Sequence, residues 1–166
     1  VGAVSDGLGG PPIRDVMLQI DGERIESVGP TALIEPGLPE STDLLRLDFP
    51  TGYLLPGLID THTHVMFGER GRTYEEVVAE DSDELMLLRA TKNVMTHLRA
   101  GVTTMRDNGA RNRVSFDLRE GARRGYVYAP RLLLSGRPIT MTRGHFYFCG
   151  QEADGVHAVR KAVHQL

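Results

Sequence analysis

Pro56-Gly57-Leu58-Ile59-Asp60-Thr61-His62-Thr63-His64 is the stretch from which the rest of the chain can be read. Pro56-Gly57 turns the backbone into an apolar Leu58-Ile59 run, which reads as the start of a strand. In a strand, side chains at i and i+2 point to one face, about 6.6 Å apart. His62 and His64 are therefore expected on a common face, with Thr61 and Thr63 on the other. Two imidazoles so placed can bind one divalent ion at about 2.0–2.1 Å each. Imidazole suits zinc, iron and nickel better than calcium or magnesium. A bare His-x-His also fits two ordinary histidines at a strand end, although a fully buried pair would need partners for its polar edges.

Downstream, Asp81 with Glu84 three residues on reads as the capping box of a helix. Leu87, Thr91, Val94, Met95 and Leu98 fall on one face at helical spacing, and Gly101 is placed to end that helix. Val102 to Met105 reads as a strand, Val114 to Arg124 as a helix closed by Gly125, and Arg131 to Ser135 as a strand. Asp154 is expected to cap a last helix carrying Val156, Val159, Ala162, Val163 and Leu166. Strand–helix alternation implies parallel strands with crossover helices, an α/β class. An open doubly wound sheet and a (β/α)8 barrel both satisfy it. A complete barrel needs about 250 residues, and Pro56 to Leu166 supplies less than half of that. The chain is expected to be a truncated part of a larger protein, since it lacks an initiator methionine and stops within a helical pattern.

Upstream, Val16 to Ile20 is a short apolar run, and Arg24 to Val28 alternates polar and apolar. Asp21-Gly22 between them reads as the loop of a hairpin over 16–28. Leu44 to Phe49 alternates in part and reads as a further strand. So few strands cannot bury a sheet face alone.

Composition excludes several classes. A net charge of −3 gives no basic footprint for nucleic acid or anionic lipid. No run approaches the roughly 18 apolar residues of a membrane span. Val1 to Asp6 has neither the basic nor the apolar segment of a secretory signal. A single cysteine rules out an internal disulfide framework and fits a reducing compartment, so the expected location is the cytoplasm.

Taken together, these segments resemble the amidohydrolase superfamily. Pro56 to His64 resembles its P-G-x-I-D-x-H-x-H signature. Asp21-Gly22-Glu23-Arg24-Ile25-Glu26-Ser27-Val28-Gly29 resembles the hairpin of its small β-sandwich domain, and Gly101 to Asp107 its second barrel strand. Gly144-His145, followed by Glu152-Ala153-Asp154-Gly155, resembles the loop and third-helix start of the branch with imidazolonepropionase-like enzymes and Xaa-Pro dipeptidases. Arg143 departs from that pattern, standing where relatives usually have glycine.

The resemblance implies part of a β-sandwich over 1–55, then the first three βα units of a (β/α)8 barrel over 56–166. It implies a metal-dependent hydrolase that cleaves an amide, peptide or cyclic amide C–N bond with metal-activated water. His62 and His64 would hold the metal, zinc as one or two ions in the complete enzyme, and His145 would meet the substrate. The family's other ligands come from later strands, so no catalytic residue is assigned and the 166-residue chain alone is expected to be inactive. The partners implied are a small amide or dipeptide substrate and the remainder of the barrel, with no nucleic acid and no membrane; homo-oligomer formation is left open. The alternatives are one subunit of a split barrel enzyme, a non-catalytic amidohydrolase-like module, and deamination or lactone hydrolysis on the same scaffold.

Other polar residues have two readings. Asp60 either orients one of the histidines or accepts backbone N–H groups. Arg106 and Asp107 either face the catalytic end or pair to brace a strand end. His145 is either a substrate contact or a solvated loop histidine. His97, His157 and His164 read as surface residues, and Cys149 as a small apolar one.

Overall fold

The computed structural model describes residues 1–38, 43–68 and 70–166. The chain divides into two compact units, Val1–Pro56 and Gly57–Leu166.

In the first unit, β1 (Ala3–Val4) pairs antiparallel with β2 (Ile13–Arg14), and β3 (Val16–Asp21) pairs antiparallel with β4 (Arg24–Pro30). A short helix α1 (Thr31–Ile34) and a 3₁₀ turn over Glu35–Gly37 follow, and β5 (Tyr53–Leu54) returns parallel to β1. The hairpin forms as expected, but its loop is Gly22-Glu23, because Asp21 pairs with Arg24. Gly22 has φ +55°, so the residue without a Cβ takes the first loop position. The strand expected over 44–49 does not form. Arg46 instead bonds Asp48 and Glu35, and Leu45 and Leu47 stay exposed. A strand persists only where a neighbour completes its ladder, and alternation without that neighbour leaves a loop. The buried apolar residues of this unit are Ala3, Val4 and Val16.

The second unit is α/β. β6 (Leu58–Thr63), β7 (Val102–Asp107) and β8 (Arg131–Leu134) form a parallel sheet in the order β6-β7-β8. Between β6 and β7 lie α2 (Tyr74–Glu80) and α3 (Asp83–Arg99), and between β7 and β8 lies α4 (Val114–Arg123). After β8 the two-residue strands β9 (Ile139–Thr140) and β10 (Gln151–Glu152) pair in parallel, and α5 (Gly155–His164) follows. Gly57 stands immediately before β6 for a steric reason. A Cβ there would lie 2.7 Å from Thr103 Cβ and 2.0 Å from its Oγ1, so only glycine lets the two strands approach.

The start of the helical region differs from the expectation. Thr73 and Glu76 form the capping box, opening a helix the hydrophobic pattern did not reveal. Ser82, not Asp81, caps α3 by accepting from the Leu85 N–H. Asp81 is instead buried and ion-paired with Arg89 and Arg72, which hold its carboxyl below the usual carboxylate range. The buried face of α3 is Met86, Ala90 and Val94, one i+4 ridge, while Leu87, Thr91, Met95 and Leu98 are only half-buried. Small and flexible side chains sit deepest there because α4 and the sheet approach closely. These residues join Met105, Leu118, Leu132, Phe67 and Phe146 in one core. Gly101 (φ +90°) and Gly125 (φ +78°) follow the ends of α3 and α4, as expected. Asp154 stands before α5, but its carboxylate binds the Thr142 N–H and hydroxyl rather than capping the helix. In α5 only Ala162 is buried.

Candidate functional site

Strand β6 ends at Thr63, between the two histidines, so His62 is in the strand and His64 is the first residue beyond it. The ring centroids of His62 and His64 lie 5.5 Å apart at an interplanar angle of 74°. Two imidazoles bound at about 2.0–2.1 Å to one tetrahedral ion have centroids separated by roughly 5 Å, a spacing close to the one seen here. His64 is further prepared. Its Nδ1 lies 3.0 Å from the Gly109 carbonyl oxygen, which can only accept. Nδ1 therefore donates, which in the neutral ring leaves the lone pair on Nε2, the arrangement that ligand histidines use. Among the described residues, no group of three or more His, Cys, Asp or Glu side chains could hold an ion. The chain thus offers two nitrogen donors, one with its tautomer set.

The backbone around the pair is clamped to β7. Thr63 Oγ1 donates to the Arg106 carbonyl at 2.9 Å, and the Asn108 N–H donates to the Thr63 carbonyl at 2.9 Å. Just beyond, Asn93 of α3 donates to the Val65 and Phe67 carbonyls. Asp107 is fully buried, and its Oδ1 accepts the Val65 N–H at 3.1 Å while Oδ2 has no hydrogen-bond partner among the described residues. Burial pushes this carboxyl above its ordinary range, against the Val65 N–H that favours the charged form. Arg106 and Asp107 do not pair. Adjacent strand residues point to opposite faces, and Arg106 reaches Asn108 instead, at 3.0 Å.

A groove of about 370 Å³ runs along the pair, lined by Asp60, His62, His64, Phe67, Tyr74, Asn93, His97 and Met105 among others. Asp60 accepts the His62 backbone N–H at 3.1 Å, so of its two readings the structure shows the backbone one. His97 is half-buried and lines the groove rather than lying on the surface; its Nδ1 donates to the Asn93 carbonyl at 3.0 Å. His157 and His164 are exposed.

His145 is exposed on the loop after β9, with its ring against that of Phe146. Phe146, which sequence reasoning passed over, is buried and stacks on His64 with centroids 4.4 Å apart at 25°. Phe67, Tyr74 and Phe148 complete an aromatic cluster around it. The run Phe146-Tyr147-Phe148 beside the Gly144-His145 pair was the available signal. Arg143 has φ +54°, a conformation that favours glycine, and its N–H donates to Glu152.

Cys149 lies in this core, as its apolar reading required. Burial, with the nearby Asp107 charge, pushes its thiol up to about 12. The fold favours the neutral thiol, so this stability is complete below the ordinary value of 9.0 and is lost as pH rises towards 12. Urea melts are expected to show the advantage of the native protein over Cys149→Ala shrinking from about pH 9 to about pH 11. A constant difference would contradict the shift.

The family description "Amidohydrolase family" matches residues 53–166. Imidazolonepropionase of Pseudomonas aeruginosa is 33% identical over 116 residues, covering 56% of this chain and 28% of that protein. Among solved structures, an amidohydrolase superposes with TM-score 0.77 at 26% identity. A prolidase complexed with N-methylphosphonate-L-proline does so with TM-score 0.70 at 26% identity. Each of these alignments covers 99% of this chain and 42% of the other. The chain therefore spans well under half the length of these relatives.

Proposed function

The chain belongs to the amidohydrolase family, and from that premise we propose that it is part of a metal-dependent hydrolase cleaving an amide, peptide or cyclic amide C–N bond. The observation that carries this reading is the His62/His64 pair, 5.5 Å between centroids at the end of β6, within the segment matching the family. His62 and His64 hold a zinc ion, and the complete enzyme uses one or two. When bound, the ion supplies Lewis acidity that polarises the scissile carbonyl and activates a water. His64 presents Nε2 because its Nδ1–H is committed to Gly109. Buried Phe67 and Phe146 keep water from one side of the ring. His145 meets the substrate, a small amide, dipeptide or cyclic amide. Relatives named imidazolonepropionase and prolidase support those classes.

The architecture proposed is part of a β-sandwich over 1–55 followed by three βα units of a (β/α)8 barrel over 56–166. Leu58, Ile59 and Leu133 are exposed on β6 and β8, which supports further barrel elements as their cover. These come from the same polypeptide or, as a split enzyme, from a second one. The remaining ligands are proposed to lie on those elements, because zinc catalysis ordinarily uses three protein ligands.

The test is hydrolysis of N-acyl amino acids, proline dipeptides and cyclic amides with zinc present. Little or no turnover is expected from the 166 residues alone. Turnover is expected when the remaining barrel is supplied, and is abolished in His62→Ala and His64→Ala. Activity that survives both substitutions would refute the proposal, and appreciable turnover by the 166 residues alone would refute the need for further ligands.

A further inference from the structure

His64 is held from two directions. One is the Nδ1–H bond to Gly109. The other is the Phe146 ring, 4.4 Å away and nearly parallel. Phe146 has φ +64°, a conformation that is strained for a bulky side chain and persists only where the surroundings over-determine it. They do so here. The Cys149 and Gly150 N–H groups both donate to the Phe146 carbonyl, at 3.2 and 2.8 Å. A Cβ on Gly150 would lie 2.9 Å from that same oxygen, so the turn requires glycine. The effect of this strained turn is to lay an aromatic face on His64 while the ring of the preceding residue, His145, packs against that of Phe146.

A leucine would fill apolar space as well as phenylalanine, but it has no flat face. Stacking adds orientation: it opposes rotation of the imidazole about its Cβ–Cγ bond, while the Gly109 carbonyl opposes inversion of the ring and sets the tautomer. We propose that Phe146 is a positioning residue for His64, holding the imidazole in the orientation that ligates the metal and tying the His145 loop to the metal-binding strand end. This rests on the reading of His64 as a ligand. By linkage, whatever the loop contributes to metal affinity the metal returns as order in the loop.

The experiment is zinc titration against a chromophoric chelator for the wild type, Phe146→Leu, Phe146→Tyr and His64→Ala, each checked for folding by circular dichroism. Phe146→Leu keeps bulk without the stack and is expected to weaken zinc about three- to tenfold. Phe146→Tyr restores the stack and should return to within about twofold of wild type. Wild-type affinity in Phe146→Leu, with affinity lost in His64→Ala, overturns the inference and leaves the metal site standing. Wild-type affinity in His64→Ala overturns the metal reading itself.

The imidazole nitrogen spectrum of the metal-free wild type gives a second readout, one a merely structural role would not move and one available even if Phe146→Leu does not fold. His64 should appear as the single Nδ1–H tautomer with ring protons shifted upfield by the stacked phenyl. Ring protons of His64 at the shifts of an unstacked imidazole overturn the inference.

Discussion

Met105→Ala is expected to destabilise the Gly57–Leu166 unit by about 2–5 kcal/mol, the range for truncating a long side chain in a close-packed core. Met105 is on the middle strand of the β6-β7-β8 sheet and is completely buried, in one cluster with Met86, Val94, Leu118 and Leu132. Its loss removes apolar area from the interior and leaves a hole that the sheet cannot close, because β7 is bonded on both edges. Against a typical domain stability of about 5–15 kcal/mol, this is a large share. Met105 also lines the groove at the histidine pair, so the cavity opens beneath the candidate site. Leu133, on the neighbouring strand, is 48% exposed, and in the 166 residues without further barrel elements Leu133→Ala should cost less than about 1 kcal/mol. Urea melts of the two variants are the check. Equal losses would mean that the sheet does not bury the face assigned to it here.

The second large effect concerns metal. The protein is expected to take up zinc at the end of β6, and His62→Ala or His64→Ala should each weaken binding by more than about 100-fold. Loss of a residue that only supports a ligand already costs 10–100-fold, and removal of the ligand itself must cost more. His157→Ala is the internal control, because His157 is exposed on α5, away from the groove lining. Chelator competition on the three variants separates a specific site from scattered surface histidines. A loss in His157→Ala as large as in His62→Ala would place the uptake elsewhere.

Much of this is legible in the sequence, because it depends on neighbours in the chain. Asp21-Gly22 marked the hairpin, although the loop settled one residue later, on Gly22-Glu23, where β3 and β4 complete their pairing. Gly101 and Gly125 marked helix ends because a positive φ is a local demand. The i, i+2 spacing of His62 and His64 brought both rings to the end of β6, although the register with β7 shifts between Asp60 and Thr63 and the strand stops one residue before His64. Leu44 to Phe49 shows the limit of such reasoning: its alternation is that of a strand, but a strand is a property of two segments.

What could not be read locally are the contacts between residues far apart in the chain. Ser82 rather than Asp81 caps α3, because Arg89 and Arg72 claim the Asp81 carboxylate. Gly57 is needed because Thr103, from the next strand, occupies the place of its Cβ. His64 meets Gly109, 45 residues away, and Phe146 beyond it. The chain's local chemistry sets which segments can be helix, strand or turn and puts two imidazoles at one strand end. Packing sets which tautomer His64 carries, which ring lies on it and which carboxylate is buried behind it, since each of those depends on close approaches that no local spacing encodes.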